Sequence, residues 1–376
     1  MICSLHSFLV NFPYSSAVVS LKKLYFFVSL ILMHIDIDIL KQLPKIASKY
    51  RLPSTKKAIV QMITSYLPYI TLWVSMYYLV QFGRWWGWIV GIINAFFLVR
   101  IFIIQHDCGH QSFFASHAAN NWIGKISSIL TFIPYSYRAA GHNFHHNHSN
   151  KLREFRDIGD LYTMTVEEFK QASWRKKLMY TIFRSPIVMF VIVPVWYILL
   201  NNRFPLARSP EGKKVHAELW MDNALTVVVY GGIAYFLWVQ ALLYVQLPIL
   251  VLFGMIAIWF FYIQHQQEFG YKAWTDRREY VRAAVQGSTF YDLPKWLHWL
   301  TGNIGYHHIH HLNAAIPSYE LAHCYHAEPL LQQVANKLTF TQSLRCMRNH
   351  LWDEQQQRMI SFTEYVRRYK RKEKKT

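Results

Sequence analysis

The stretch "FIIQHDCGHQSFF", residues 102–114, decides how this chain is read. Its two histidines, His106 and His110, stand four apart and so share one face of a helix. They close an apolar run of membrane-span character that begins at residue 85 and is broken only by Arg100. Imidazoles are therefore carried to the rim of an apolar helix, and the question is what they meet there.

The 376-residue chain is 53% hydrophobic and 17% aromatic but only 16% charged, a low charge content for a soluble globule. Runs without charge cover 58–82, 85–105 apart from Arg100, and 223–267. A helix needs roughly 20 apolar residues per crossing, so the last run is long enough for two. The pattern predicts an all-α integral membrane protein with four transmembrane helices, near 58–82, 86–105, 224–243 and 248–264. They pair as two hairpins, the first turning at "GRWWG" (83–87) and the second at "VQLP", where Pro248 ends one helix and starts the next. Arg100 lies near the end of its span, where its side chain can snorkel.

Residues 58–376 form the membrane domain and end in a basic tail, 366–376; residues 1–57 form an N-terminal cytoplasmic or interfacial segment. The apolar run 24–35 within it is too short to span and is followed by no cleavage site. Cys3, Cys108, Cys324 and Cys346 have no paired spacing, which argues for a reducing compartment without a disulfide framework.

The net charge is +19, and its distribution orients the chain. Eight Lys or Arg precede Ala58, ten lie between His106 and Arg184, and sixteen follow His265, whereas the two hairpin turns carry only Arg84. The excess of positive charge on the inner side puts both termini and the central loop on the cytoplasmic face. The tail is a solvated segment or a contact for anionic lipid or acidic protein. Basic residues flank the spans and form no stripe interleaved with aromatics, so nucleic acid is not an expected partner. The apolar segment 185–202, with Pro194 inside, must not cross if the histidines before and after it belong to one site, because 223–267 already supplies two crossings. It is expected in or along the membrane, and 126–137, interrupted by Pro134, in the interface.

Seven of the 19 histidines fall between residues 106 and 148, and four more between 307 and 311. After His106 and His110 comes "HNFHH", giving His142, His145 and His146 at helical spacing i, i+3, i+4. The same spacing selects His307, His310 and His311 from "HHIHH". His265, in "FYIQHQQE" at the end of the last span, is a ninth donor at the depth of His106. Nine nitrogen donors exceed one metal's coordination number, so two metals are implied, in a helical cap on the cytoplasmic side. Imidazole suits iron, copper, zinc and nickel, and the donor set alone does not name the metal. On a helix His308 points about 100° away from His307, and His148 leaves the helical face, so both are read as packing or supporting residues. Carboxylates that could hold the far nitrogen of a bound imidazole are Asp107, Asp157, Asp160, Glu268 and Glu320; each could equally be a surface residue or pair with a nearby Arg. Asn303 is either a weak ligand or a turn cap.

At these residues the sequence resembles the integral-membrane fatty acid desaturases, most closely the bacterial and cyanobacterial omega-6 acyl-lipid group. The motifs are "QHDCGHQSFF", "GHNFHHNHSNK", "FYIQHQQE" and "HHIHHLNAAIPSYEL", in that order across residues 105–321. The resemblance implies a non-haem diiron centre held by His106, His110, His142, His145, His146, His265, His307, His310 and His311, with dioxygen as co-substrate. It implies a fatty acyl substrate, linked to lipid, coenzyme A or carrier protein, and a site in the bacterial inner membrane. "HPGG", the haem-binding mark of a fused cytochrome domain, is absent, so electrons are expected from a separate ferredoxin or cytochrome. The first 50 or so residues have no counterpart in the family pattern.

The expected activity is insertion of a cis double bond into an acyl chain. The nearest rival is a hydroxylase, epoxygenase or acetylenase on the same scaffold, which the spacing does not separate. A divalent-metal transporter would need ionisable residues at the midplane of the spans, where only Arg100 is a candidate. A membrane zinc protease would need Glu where Asp107 stands.

Overall fold

The computed structural model describes residues 37–152, 161–206, 214–274 and 279–370. The run 24–35, Asp157, Asp160 and the tail beyond residue 370 lie outside the described residues. Helix α1 (Ile37–Ser48) precedes α2 (Thr55–Gln81), whose first turn is capped by the Ser54 hydroxyl accepting from the Lys57 amide. Gly83, at φ +64°, takes the left-handed conformation that turns the chain into α3 (Gly87–Gly109), and α2 packs along α3. Helices α4 (His117–Thr131) and α5 (Tyr135–His148) follow, separated by Phe132 at φ +57° and by Pro134. After α6 (Trp174–Phe183) and α7 (Val193–Leu199), α8 (His216–Ala241) runs through a π-helical turn (Leu242–Gln246) into α9 (Leu247–His265).

Three helices among the described residues are long and apolar enough to cross a membrane: α2, α3 and the 50-residue run His216–His265. The expected turn at "VQLP" is therefore not where the last pair breaks. Pro248 is the second residue of α9, directly after the π-helical turn, and the chain stays helical through it. The non-helical residue is Trp238, at φ 63° and ψ 159°. Both ends of the run meet α5. At one end Glu218 accepts from Ser136 and the Asp222 carboxylate accepts from the Tyr135 amide at 3.0 Å; at the other, the His265 ring lies 4.9 Å from His145. A straight helix of that length would extend about 75 Å and α5 only about 21 Å, so the run doubles back, and Trp238 is the break.

Segment 185–202 is bent by 60° from α6 and is held by an arginine at each end. Arg184, at its start, donates to Tyr262 Oη at 3.2 Å and Gln266 Oε1 at 3.0 Å, and Arg203, just past its end, donates to Asn223 Oδ1 at 2.9 Å. Between them, Pro194 and Ile198 lie so close to Gly254 that a Cβ there would stand 3.0 and 2.7 Å from them. Gly254 is about 16 Å along α9 from His265.

The expectation of an all-α protein is amended by five strands of two or three residues among the described residues. β1 (Met164–Thr165) pairs in parallel with β4 (Leu351–Asp353), which pairs antiparallel with β5 (Arg358–Ile360); β2 (Phe290–Asp292) and β3 (Lys337–Thr339) pair in parallel. Each pairing is too short for periodicity to reveal. Helices α10 (His307–Leu312) and α11 (Ser318–Ala327) carry the third histidine cluster and the segment after it.

Candidate metal centre

The site forms where α3, α5, α9 and α10 end together. Gln105, one residue before His106, ties the α4–α5 corner to α3: its Nε2 donates to the Ile133 carbonyl at 2.6 Å and its Oε1 accepts from Thr131 at 2.7 Å. Tyr135 adds a bond from its hydroxyl to the Cys108 carbonyl at 2.8 Å. The helical face of α5 thereby presents His142 and His146 to His106 and His110, and His145 to His265 and His311.

The nine histidines predicted as donors come together. One group is His106, His110, His142, His146 and His310, and a second is His145, His265 and His311; within each group one nitrogen per ring lies within 4.8 Å of the others. His307 joins the second, its Nε2 lying 3.1 Å from that of His265. In the first, Nε2 of His142 stands 2.8 Å from that of His106 and 3.1 Å from that of His146, and Nε2 of His310 is 2.9 Å from that of His146. The groups adjoin, with the His146 and His311 rings stacked at 4.3 Å.

Several observations test whether this donor set fits metal ions. Two nitrogens bound at right angles to one metal at about 2.1 Å stand about 3 Å apart, the separation of these Nε2 pairs. Nε2 of His110 and of His311 is buried with no hydrogen-bond partner among the described residues, which is costly unless something else occupies the lone pair. Burial first, and then neighbouring positive charge, hold His110, His142, His146, His307, His310 and His311 well below the ordinary imidazole value of 6.5. For His142 the strongest such influence after burial is the Arg138 guanidinium. The rings are thus neutral, the form that ligates a metal. The residues fit a two-metal centre.

The candidate supporting residues divide between the site and ion pairs. Asp107 has Oδ1 3.1 Å from His106 Nδ1 and Oδ2 accepting from the Ser318 amide at 2.6 Å. Glu268 meets Arg358 at 3.0 Å, and Glu320 meets Lys57 at 2.5 Å and His323 at 3.2 Å, so these carboxylates serve ion pairs. Asn303 is a turn residue at φ +61° whose side chain donates to the Ser318 carbonyl at 3.1 Å. His308 is wholly buried between the rings of Phe290 and Tyr325, outside both groups, and desolvation pushes it down to about 3. His148 stacks on Phe144 at 3.9 Å. Gln105, Tyr135 and Ser318 were not singled out from the sequence; a glutamine or tyrosine that ties two helices together has no periodic signature.

A narrow cleft lies beside the first group, between one face of α3 (Phe102, Gln105, His106, Gly109, His110) and one of α5 (Tyr135, Arg138, Ala139, His142, Asn143). On the side of the second group, Phe261 lies 5.7 Å from His145 and 5.4 Å from His265. Aromatic rings therefore border both groups.

Long apolar helices that end together in a nine-imidazole site define a class: membrane-embedded proteins with a histidine-held dimetal centre. The family model described as "Fatty acid desaturase" matches residues 83–340. A "Fatty acid desaturase" of Bacillus subtilis (strain 168) is 38% identical over 324 residues, 86% of this chain and 90% of that protein. An "sn-1 oleoyl-lipid 12-desaturase" of Anabaena variabilis is 27% identical over 310 residues, 77% of this chain and 80% of that one. An "Omega-6 fatty acid desaturase, chloroplastic" of Spinacia oleracea is 26% identical over 293 residues, 76% and 61%. The chain belongs to the fatty acid desaturase family and is an integral membrane oxidoreductase of acyl lipid.

Proposed function

We propose that the protein inserts a cis double bond into a lipid-borne acyl chain, omega-6-like in position, using dioxygen and two electrons from a separate carrier. The observation that carries this reading is the convergence of nine imidazoles into two adjoining groups beside aromatic walls. His106, His110, His142, His146 and His310 would hold one iron, and His145, His265, His307 and His311 the other. When bound, this iron pair supplies the activation of dioxygen and the removal of hydrogen from unactivated methylenes.

The chain's own residues do the rest. Asp107 holds the Nδ1 proton of His106 and so presents Nε2 to the metal. Burial keeps the rings deprotonated. Phe102 and Phe261 exclude water and offer an apolar approach for the acyl chain from the two sides of the site.

The proposed topology has four crossings: α2, α3, α8 as far as Trp238, and the helix from there to His265. Segment 185–202 is re-entrant, since its two ends bond to Gln266 and Asn223 on the histidine side. Exposed Trp85, Trp86, Trp88 and Trp238 mark one membrane edge, and exposed Trp122, Trp174 and Trp296 the other. The excess of Lys and Arg sets the histidine end on the cytoplasmic side of the bacterial inner membrane, and an acidic ferredoxin or cytochrome domain is the matching donor.

The test is gas chromatography of fatty acids from a host expressing the protein. A new cis-monoene or diene is expected, with its position read from the fragments. An unchanged double-bond profile with a new hydroxy acid would replace desaturation by hydroxylation.

A further inference from the structure

Arg100 interrupts the apolar stretch of α3 about 9 Å along the helix from His106. The sequence lets it snorkel, but the structure turns it inward: it is 4% exposed. Its Nη1 donates to the Trp299 carbonyl, its Nη2 donates to Thr64 Oγ1 at 3.3 Å, and its guanidinium lies 4.1 Å from the centre of the Trp299 ring. Among the described residues no carboxylate is within ion-pair reach of it. A buried cation without a counter-ion is costly, so its retention calls for a reason beyond stability.

What it grips is the segment that leads to the third histidine cluster. Trp299 stands eight positions before His307, in the short helix Lys295–Leu300. One turn on from Arg100, Ile103 meets Gly302, which is at φ +60° and where a Cβ would come within 2.9 Å of Ile103. One turn further, Asp107 accepts from the Ser318 amide, just past the cluster. Arg100, Ile103 and Asp107 fall within about 60° of one another around α3. The adjacent face carries His106 and His110. One helix thus sets the height of the first cluster and clamps both flanks of the third.

We propose that Arg100 is a positioning residue that fixes the third histidine cluster against the first, through the Trp299 carbonyl and ring. It acts before any metal binds, by holding His307, His310 and His311 within reach of donors on α5 and α9. This rests on the two-iron reading above and adds to it a residue that touches neither metal nor substrate.

The test is iron per chain in the full-length protein purified in detergent, with size-exclusion profile as the check on folding. Wild type is expected to hold two irons, and a wild type without iron would sink the two-iron reading itself. Arg100→Met, of similar length but uncharged, is expected to lose at least half the iron. Arg100→Lys, which keeps the cation over the ring, is expected to regain part of it. If Arg100→Met fails to elute as folded protein, the half-exposed Trp299 carries the test. Trp299→Leu is then expected to lose iron and Trp299→Tyr, which keeps a ring, to retain it. With wild type loaded, two irons in Arg100→Met or in Trp299→Leu would overturn the proposal, as would a Lys or Tyr variant no better than its apolar counterpart.

Discussion

The Nε2 atoms of His310 and His146 stand 2.9 Å apart although 164 positions separate the two residues. This contact welds the third histidine cluster to the second and closes a ring of imidazoles from α3, α5 and α10. No short segment can make such a site by itself, so loss of one donor and loss of its support have distinguishable consequences.

His145 belongs to the second group with His265 and His311. His145→Ala is expected to abolish new double bonds while the protein remains in the membrane, with iron falling toward one per chain. Fatty acid profiling and metal analysis of the same membranes check this. Product at the wild-type level would remove His145 from the site.

His308 is as buried as its neighbours but touches Phe290 and Tyr325. His308→Ala is therefore expected to keep its iron and its product while losing about 1–3 kcal/mol of stability to the vacated space. A thermal melt beside metal analysis separates the two effects, and loss of iron equal to that of His145→Ala would make His308 a ligand.

Asp107 bridges His106 Nδ1 and the Ser318 amide. Asp107→Asn retains the shape but offers the ring an acceptor without charge. Supporting partners of this kind are worth about 10–100-fold in metal affinity, and competition with a chelator is expected to show a loss of that size. Unchanged affinity would reduce Asp107 to a tether for Ser318.

Burial holds six imidazoles, those of His110, His142, His146, His307, His310 and His311, well below 6.5 in the folded chain. Between those lowered values and 6.5 the unfolded chain binds more protons than the folded one, so stability rises with pH across that window. The metal-free protein is expected to melt at a constant temperature above about pH 7 and at steadily lower ones as pH falls below about 6.5. A melting temperature independent of pH down to about 5 would mean that the rings are hydrated in solution.

Much of the site is legible in the sequence because helical spacing is local. The i, i+4 pair of α3 and the i, i+3, i+4 triplets of α5 and α10 each put their imidazoles on one face, whatever the rest of the chain does. The parity argument also reaches beyond local spacing: it expects 185–202 not to cross, and in the structure Arg184 bonds to Gln266 and Arg203 to Asn223 at the two ends of that segment. The rules reach less far at the second hairpin. Pro248 looks like a breaker, but the helix continues through it behind the π-helical turn Leu242–Gln246, and the break falls on Trp238, a residue with no turn preference.

By itself the sequence determined the apolar spans, the three histidine clusters and the place of His265 at the end of the last span, because periodicity and charge are properties of neighbours along the chain. Only the tertiary structure decided which donors share a group, that Asp107 serves an imidazole while Glu268 and Glu320 serve cations, and that Arg100 points inward to Trp299. Those choices depend on which distant side chain is within about 3 Å, and that distance is set by how the helices dock.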